Sequence, residues 1–187
     1  MELWHAVTAQ FLEAIVPVLW DTASTSGELS DYSVGTTWYV DEGRYYLLDV
    51  RRKRLTYPDL KKEIFAYSDE YNCHSVVIEE KGAGQHLIQE FRAMGFSIIS
   101  YMPKGDKVMR LAAVSPLIEA GMVLFPASAP WLDDLVTELL QFPNGSHDDQ
   151  VDSLSQFLNY MEERKIPDIV VYDFHGNIRR RSRDRYL

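Results

Sequence analysis

The sequence predicts a mixed α/β fold in which a three-strand antiparallel meander gives way to alternating strands and helices. Three observations carry this expectation. A short apolar run, Val16-Pro17-Val18-Leu19-Trp20, ends in Asp21 and is followed by a second run, Tyr32 to Val40, rich in β-branched and aromatic residues that favour strands. Asp41-Glu42-Gly43-Arg44 then reads as a hairpin turn into a third strand, Tyr45 to Val50. Beyond it, continuous apolar runs alternate with segments of helical period.

Taken in order, residues 5–16 place Ala6, Phe11, Leu12 and Ile15 at helix-like intervals, as a lead-in helix or an irregular arm within 1–16. Thr22 to Ser30 is small, polar and glycine-containing, hence a turn or loop. Asp59 to Tyr71 is expected to be helical, with Leu60, Ile64, Phe65 and Tyr67 on its apolar side. Ser75-Val76-Val77-Ile78 is a strand buried on both faces, ending in Glu79-Glu80. Gly82 and Gly84 permit a tight turn into a helix over 85–94, closed by Gly95. Phe96 to Ser100 is a strand, Val108 to Glu119 a helix, Val123-Leu124-Phe125 a short strand, and Pro130 to Leu140 a helix. A loop over 142–147 delivers Asp148-Asp149 to the start of a last helix, Gln150 to Glu163. A strand-like piece and a basic tail, 168–187, follow. A meander succeeded by alternating β and α units is the ribonuclease H-like order: a mixed sheet, part antiparallel and part parallel, flanked by helices.

At 187 residues, with 46% hydrophobic and 25% charged residues, the chain fits one globular domain over 1–187. No apolar run is long enough to span a bilayer, and Met1-Glu2-Leu3-Trp4-His5 lacks the basic flank of a signal peptide, so no membrane partner is expected. The single cysteine, Cys73, excludes an internal disulfide and fits a reducing, cytoplasmic setting. A formal net charge of −9 argues against generic charge-driven nucleic-acid binding, but not against a carboxylate-rich site that meets phosphate through divalent cations. The basic islands Arg51-Arg52-Lys53-Arg54 and Arg179-Arg180-Arg181-Ser182-Arg183 read as a solvated face and tail, and the tail arginines could instead reach phosphates or a partner protein.

Three acidic spots fall where a metal site could form: Asp21 and Glu79 (or Glu80) after apolar strands, and Asp148 with Asp149 opening the last helix. Two divalent ions about 3.5–4 Å apart can hydrolyse a phosphodiester, one activating water and one stabilising the leaving oxygen. Magnesium takes oxygen ligands and keeps several waters, so a few carboxylates suffice. The alternative is plain: Asp148 and Asp149 could simply cap the helix and complement its dipole, and Glu79-Glu80 could be surface acids.

Five segments together resemble the nuclease domain of tailed-phage terminase large subunits: Trp20-Asp21-Thr22-Ala23, Asp31-Tyr32-Ser33-Val34, Tyr45 to Val50, Ile78-Glu79-Glu80-Lys81-Gly82-Ala83-Gly84, and His147-Asp148-Asp149-Gln150-Val151-Asp152-Ser153. The likeness runs from about Pro17 to about Asn159. It implies a ribonuclease H-like endonuclease that uses a two-metal Mg²⁺ or Mn²⁺ site to cut concatemeric viral DNA during packaging. The implied partners are double-stranded DNA, a small terminase subunit, a portal and an ATPase motor, in the host cytoplasm. Carried over by motif, Asp21 is the first-strand ligand shared by both ions, Glu79 the second and Asp148 the third, with Asp149 supporting and Glu80 ranked below Glu79. Lys107 and Arg110 resemble the family's basic pair, expected to hold substrate phosphate or orient a loop, against the simpler reading of a solvated helix face. The family normally carries its motor before the nuclease, and no G-x-x-x-x-G-K-[ST] occurs here, as expected of an excised domain or a short prophage gene.

Other residues carry weaker signals. His147 precedes the acids and could touch a metal or a phosphate, but reads better as a loop histidine, and His5, His74, His86 and His175 make no zinc spacing with Cys73. Ser24, Thr25 and Ser26 lack a histidine motif for nucleophile chemistry, although Asp21-Thr22 with Ser24 and Thr25 faintly suggests a phosphate loop of actin-like phosphotransferases. Trp20, Trp38 and the tyrosines suit core packing better than base stacking. A non-cleaving docking module of the packaging machinery is the non-enzyme alternative.

Overall fold

The computed structural model describes residues 2–4, 17–21, 32–73, 75–164, 170–172 and 178–180, with side chains over Trp20, 32–73 and 75–164. The expectations for 5–16, for the 22–30 loop with its Ser24, Thr25 and Ser26, and for His5, His74, His175 and residues 181–187 lie outside the described residues.

Strands β1 (Glu2–Trp4), β2 (Pro17–Asp21), β3 (Ser33–Asp41) and β4 (Arg44–Lys53) are followed by α1 (Tyr57–Glu70), β5 (Ser75–Glu79), α2 (Ala83–Ala93) and β6 (Ile98–Tyr101). Then come α3 (Lys107–Glu119), β7 (Val123–Pro126), α4 (Leu132–Gln141), α5 (Asp149–Glu163), β8 (Val170–Tyr172) and β9 (Ile178–Arg180). Seven strands form one mixed sheet in the order β1-β7-β4-β3-β2-β5-β6, and β8 pairs with β9 separately. The meander β2-β3-β4 is antiparallel, and β5, β6, β7 and β1 join with parallel pairings. The expected mixed sheet flanked by helices is therefore the one observed.

Local chemistry explains the joints. Glu42 and Gly43 both take positive φ (44° and 79°), the backbone of a two-residue turn whose twist matches the strands it joins. Helix α2 ends in a six-to-one closure. Phe96 N–H donates to Phe91 O at 2.9 Å and Gly95 N–H to Arg92 O at 3.0 Å, with Gly95 at φ 87°. That closure consumes Gly95 and Phe96, so β6 begins at Ile98 rather than at Phe96 as expected. Strand β4 runs to Lys53, three residues past the expected end, because its pairing with β3 continues to Ser33.

Helices cover both faces. On β5, Val76 and Ile78 join the core of Trp20, Leu60, Ile64, Tyr67, Leu87 and Phe91 beneath α1 and α2. Val77 joins the opposite core, where Trp38, Leu47, Val114, Leu135, Leu154 and Phe157 lie under α3, α4 and α5. This two-sided burial is why β5 is apolar without alternation. Trp38 stacks on Phe157 at 4.5 Å, and Gly35 leaves room for the fully buried Trp20 indole to lie across β3. Between these layers, the parallel strands β2 and β5 end together, and α5 packs against β2 and β3.

Candidate metal centre

Parallel strands present their carboxyl ends on one edge, where open α/β sheets usually hold ligands. Trp20 and Ile78 are partners in the β2–β5 register, so the next residues, Asp21 and Glu79, close the two strands side by side. Glu79 is 5% exposed, whereas Glu80 is half-buried and spends its N–H on Tyr101 O at 2.7 Å. Among the described residues, the Glu79 carboxylate makes no hydrogen bond or ion pair. Most of Glu79 is packed away, but its oxygens are not among the described polar atoms sealed from solvent without a partner, so the carboxylate stays open to a cation.

The other half of the site is the start of α5. Asp148 occupies the N-cap position, but its backbone (φ −142°, ψ 9°) is outside the usual capping geometry and its side chain makes no capping bond. Glu138, from α4, takes that role. One of its oxygens accepts from Gln150 N–H at 2.6 Å and Val151 N–H at 2.9 Å, and the other accepts from Gln150 Nε2 at 2.9 Å. Asp148 instead accepts from Lys107 Nζ at 2.8 Å. Asp149 accepts from an Arg52 guanidinium nitrogen at 3.3 Å. Burial raises the Asp149 carboxyl above the ordinary range, the nearby Glu138 and Asp148 charges add to this, and Arg52 opposes it.

Lys107 and Arg110 have separate duties. Lys107, at the mouth of the cleft, also lies 3.4 Å from Asp152. Arg110 is buried: Nε donates to Asp152 Oδ1 at 3.1 Å, a terminal nitrogen donates to the same oxygen, and the other terminal nitrogen reaches Gly105 O at 2.8 Å. A solvated helix face describes Lys107 in part and Arg110 not at all. Asp152 stands in the motif 147–153 but drew no role from sequence; its one signal was its place one helical turn after Asp148. Glu138 had a weaker signal still, a lone acid on the Leu135 side of a leucine-rich helix.

A cavity of about 260 Å³ opens beside these acids, lined by Tyr32, Arg54, Lys107, Ser146, His147, Asp148 and Asp149. Strand alternation has divided the basic run between two faces. Arg51 lies 4.1 Å from the Tyr67 ring centroid and pairs with Asp49, Glu63 and Glu70, while Lys53 pairs with Glu63. Arg52 and Arg54 instead lie 3.8 and 4.6 Å from the Tyr32 ring centroid, with His147 edge-on to the same ring at 5.6 Å.

Thus Glu79, Asp148 and Asp149 have described side chains, whereas Asp21 is described by its backbone register only. Among the described residues, no three acidic, histidine or cysteine side chains converge closely enough to hold a metal ion by themselves. No helix among them is long and apolar enough to cross a membrane.

The model of the terminase RNase H-like domain family matches residues 18–161. Among solved structures, the large terminase nuclease of thermophilic phage G20c, with bound zinc, is 25% identical; the match covers 80% of this chain and 82% of that one, with a TM-score of 0.62. The same phage nuclease is also known with bound magnesium and with bound cobalt. The large terminase nuclease domain of Thermus phage P74-26 is 24% identical over 79% of each chain, with a TM-score of 0.61. The large terminase of another thermophilic bacteriophage is 12% identical; 86% of this chain covers 43% of that longer one, with a TM-score of 0.64. A search of curated proteins returned no match.

Proposed function

The chain belongs to the terminase RNase H-like domain family, and we propose that it is a divalent-metal-dependent endodeoxyribonuclease that cuts concatemeric viral DNA during genome packaging. The observation that carries this reading is the pair of strand ends. Among the described residues, the Glu79 carboxylate has no hydrogen-bond or ion-pair partner beside the register position of Asp21, and α5, which packs on β2, leaves the Asp148 side chain unused as a cap. An all-carboxylate donor set suits magnesium or manganese better than softer metals. Asp21, Glu79 and Asp148 would hold the ions, with Asp149 supporting. When bound, the ions supply an activated water and charge stabilisation at the leaving oxygen.

The chain's own groups do the rest. Lys107, 39% exposed beside Asp148, would meet a substrate phosphate. Arg110 would act indirectly, by holding Asp152 and the Gly105 carbonyl in place. Arg54 and Tyr32 at the cleft wall would meet the DNA backbone. The partners that go with this role are double-stranded DNA, a small terminase subunit, a portal and an ATPase motor, in the host cytoplasm.

The test is supercoiled plasmid incubated with Mn²⁺, Mg²⁺ or EDTA. Nicking should require metal and should disappear in Asp21→Ala, Glu79→Gln and Asp148→Asn. Metal-independent cutting, or equal cutting by Asp21→Ala, defeats the proposal. Anomalous scattering from a Mn²⁺ soak should put metal among Asp21, Glu79 and Asp148, and metal bound elsewhere defeats the assignment.

A further inference from the structure

An aspartate at a helix N-cap ordinarily spends its carboxylate on the N–H groups of the second and third helical residues. In α5 those residues are Gln150 and Val151, and both N–H groups already donate to Glu138 of α4. Glu138 is 6% exposed and shares the buried side of α4 with Leu135, so its approach to α5 is set by packing between the two helices. Its second oxygen is satisfied by Gln150 Nε2, giving the buried carboxylate three donors. Its charge also faces the positive end of the α5 dipole.

We infer that Glu138 is a positioning residue: by capping α5 from a neighbouring helix, it keeps the Asp148 carboxylate off the helix's own N–H groups and turned towards Lys107 and the cleft. The consequence for metal binding rests on the nuclease reading above; the capping exchange itself does not. Without Glu138, two N–H groups are orphaned beside Asp148, whose residue type suits them well, and Asp148 takes them once its backbone moves from φ −142°, ψ 9° to the extended geometry of a cap. A cap of ordinary strength would then compete with any cation in the cleft and weaken its binding about fivefold.

Two measurements on the full chain decide the matter. A crystal structure of Glu138→Ala should show Asp148 accepting from Gln150 or Val151 N–H; Asp148 still on Lys107 overturns the inference. Calorimetry with Mn²⁺ alone, well below the melting temperature, should show Kd raised about fivefold in Glu138→Ala. Glu138→Gln should stay within about twofold of wild type, because an amide oxygen still accepts from both N–H groups. The double variant Glu138→Ala/Asp148→Ala should bind no more weakly than Asp148→Ala. Lower thermal stability with unchanged Mn²⁺ affinity would mark Glu138 as a structural cap only and overturn the inference. Should wild type bind no Mn²⁺, the metal reading fails while the crystal structure still decides the capping exchange. If Glu138→Ala does not fold, Glu138→Asp, one methylene too short to reach both N–H groups, takes its place in both measurements.

Discussion

Replacing Arg110 with alanine should cost about 3 kcal/mol of folding stability. The Arg110 side chain is 9% exposed and that of Asp152 5%, so neither charge can turn to solvent without moving the helices. Arg110 supplies two of the donors on Asp152 Oδ1 and also holds Gly105 O at 2.8 Å. Breaking a buried pair from one side typically costs about 3–5 kcal/mol, because the remaining charge is stranded. The lower end applies here, since Lys107 stays within 3.4 Å of Asp152 Oδ2. A further contact limits the loss: Asn159 Nδ2 donates to Arg110 O at 2.9 Å and to Ser155 O at 2.7 Å, which ties α3 to α5 through backbone acceptors that survive the substitution. Urea unfolding should show the full shift in midpoint at an unchanged slope. The double replacement Arg110→Met/Asp152→Leu should cost about 1 kcal/mol or less, because no charge is left unpaired. A loss below about 1 kcal/mol for Arg110→Ala, or a double variant as damaged as the summed singles, would refute the reasoning.

Three further outcomes are expected. Gly35→Ala places a Cβ 2.8 Å from the Trp20 indole in a filled core. It should cost about 1–3 kcal/mol, seen as a melting temperature lower by about 2–4 °C per kcal/mol, and an unchanged melt would contradict the packing argument. Asp149 has a folded-state pKa raised chiefly by burial. Its protonated form therefore favours folding below the unfolded value of roughly 3.9, and that contribution is lost as pH rises through the folded value. In EDTA, the stability of Asp149→Asn relative to wild type should grow as pH rises through that window; a flat difference would show that burial is not felt. Burial pushes the Cys73 thiol up to about 12. A disulfide reagent at pH about 8 should thus label the denatured chain rapidly and the native chain hardly at all, and equal rates would be decisive against it.

The parts of this fold that depend on local pattern were legible, and the parts that depend on tertiary partners were not. Strand β5 reads from its unbroken apolar run, and the β3–β4 turn from Glu42-Gly43. Strand β1 is three residues long and is defined by its pairing with β7, so no local pattern announces it. The last residues of β4, Arg51 to Lys53, are poor strand formers that remain in the sheet because each face offers partners: Tyr67 and Glu63 on one side, Tyr32 and Asp149 on the other. Asp148-Asp149 before an apolar helix is a normal capping signal. Sequence could not distinguish a cap from a released ligand, because the competing acceptor, Glu138, is on another helix. Arg110 looked interchangeable with Lys107 for the same reason: its burial is decided by Asp152 across the α3–α5 contact.

The electrostatics of the α5 N-terminus also rank its acids. Asp148, Asp149 and Asp152 lie within about one turn and would repel one another if left unscreened. Each has its own cation: Lys107 for Asp148, Arg52 for Asp149 and Arg110 for Asp152. The exposure of these pairs is graded. Lys107 and Asp148 are 39% and 40% exposed, Arg52 and Asp149 each 21%, and Arg110 and Asp152 9% and 5%. A solvent-exposed pair is worth about 0–1 kcal/mol, whereas opening a buried one costs several times more. Asp148 is therefore the acid that its lysine surrenders most easily to an incoming divalent cation, Asp149 is intermediate, and Asp152 is fixed. In the proposed centre, that order would suit Asp148 to binding, Asp149 to support and Asp152 to structure. Under the proposed function, Lys107 would have a second use, since its ammonium lines the cleft where a substrate phosphate would enter.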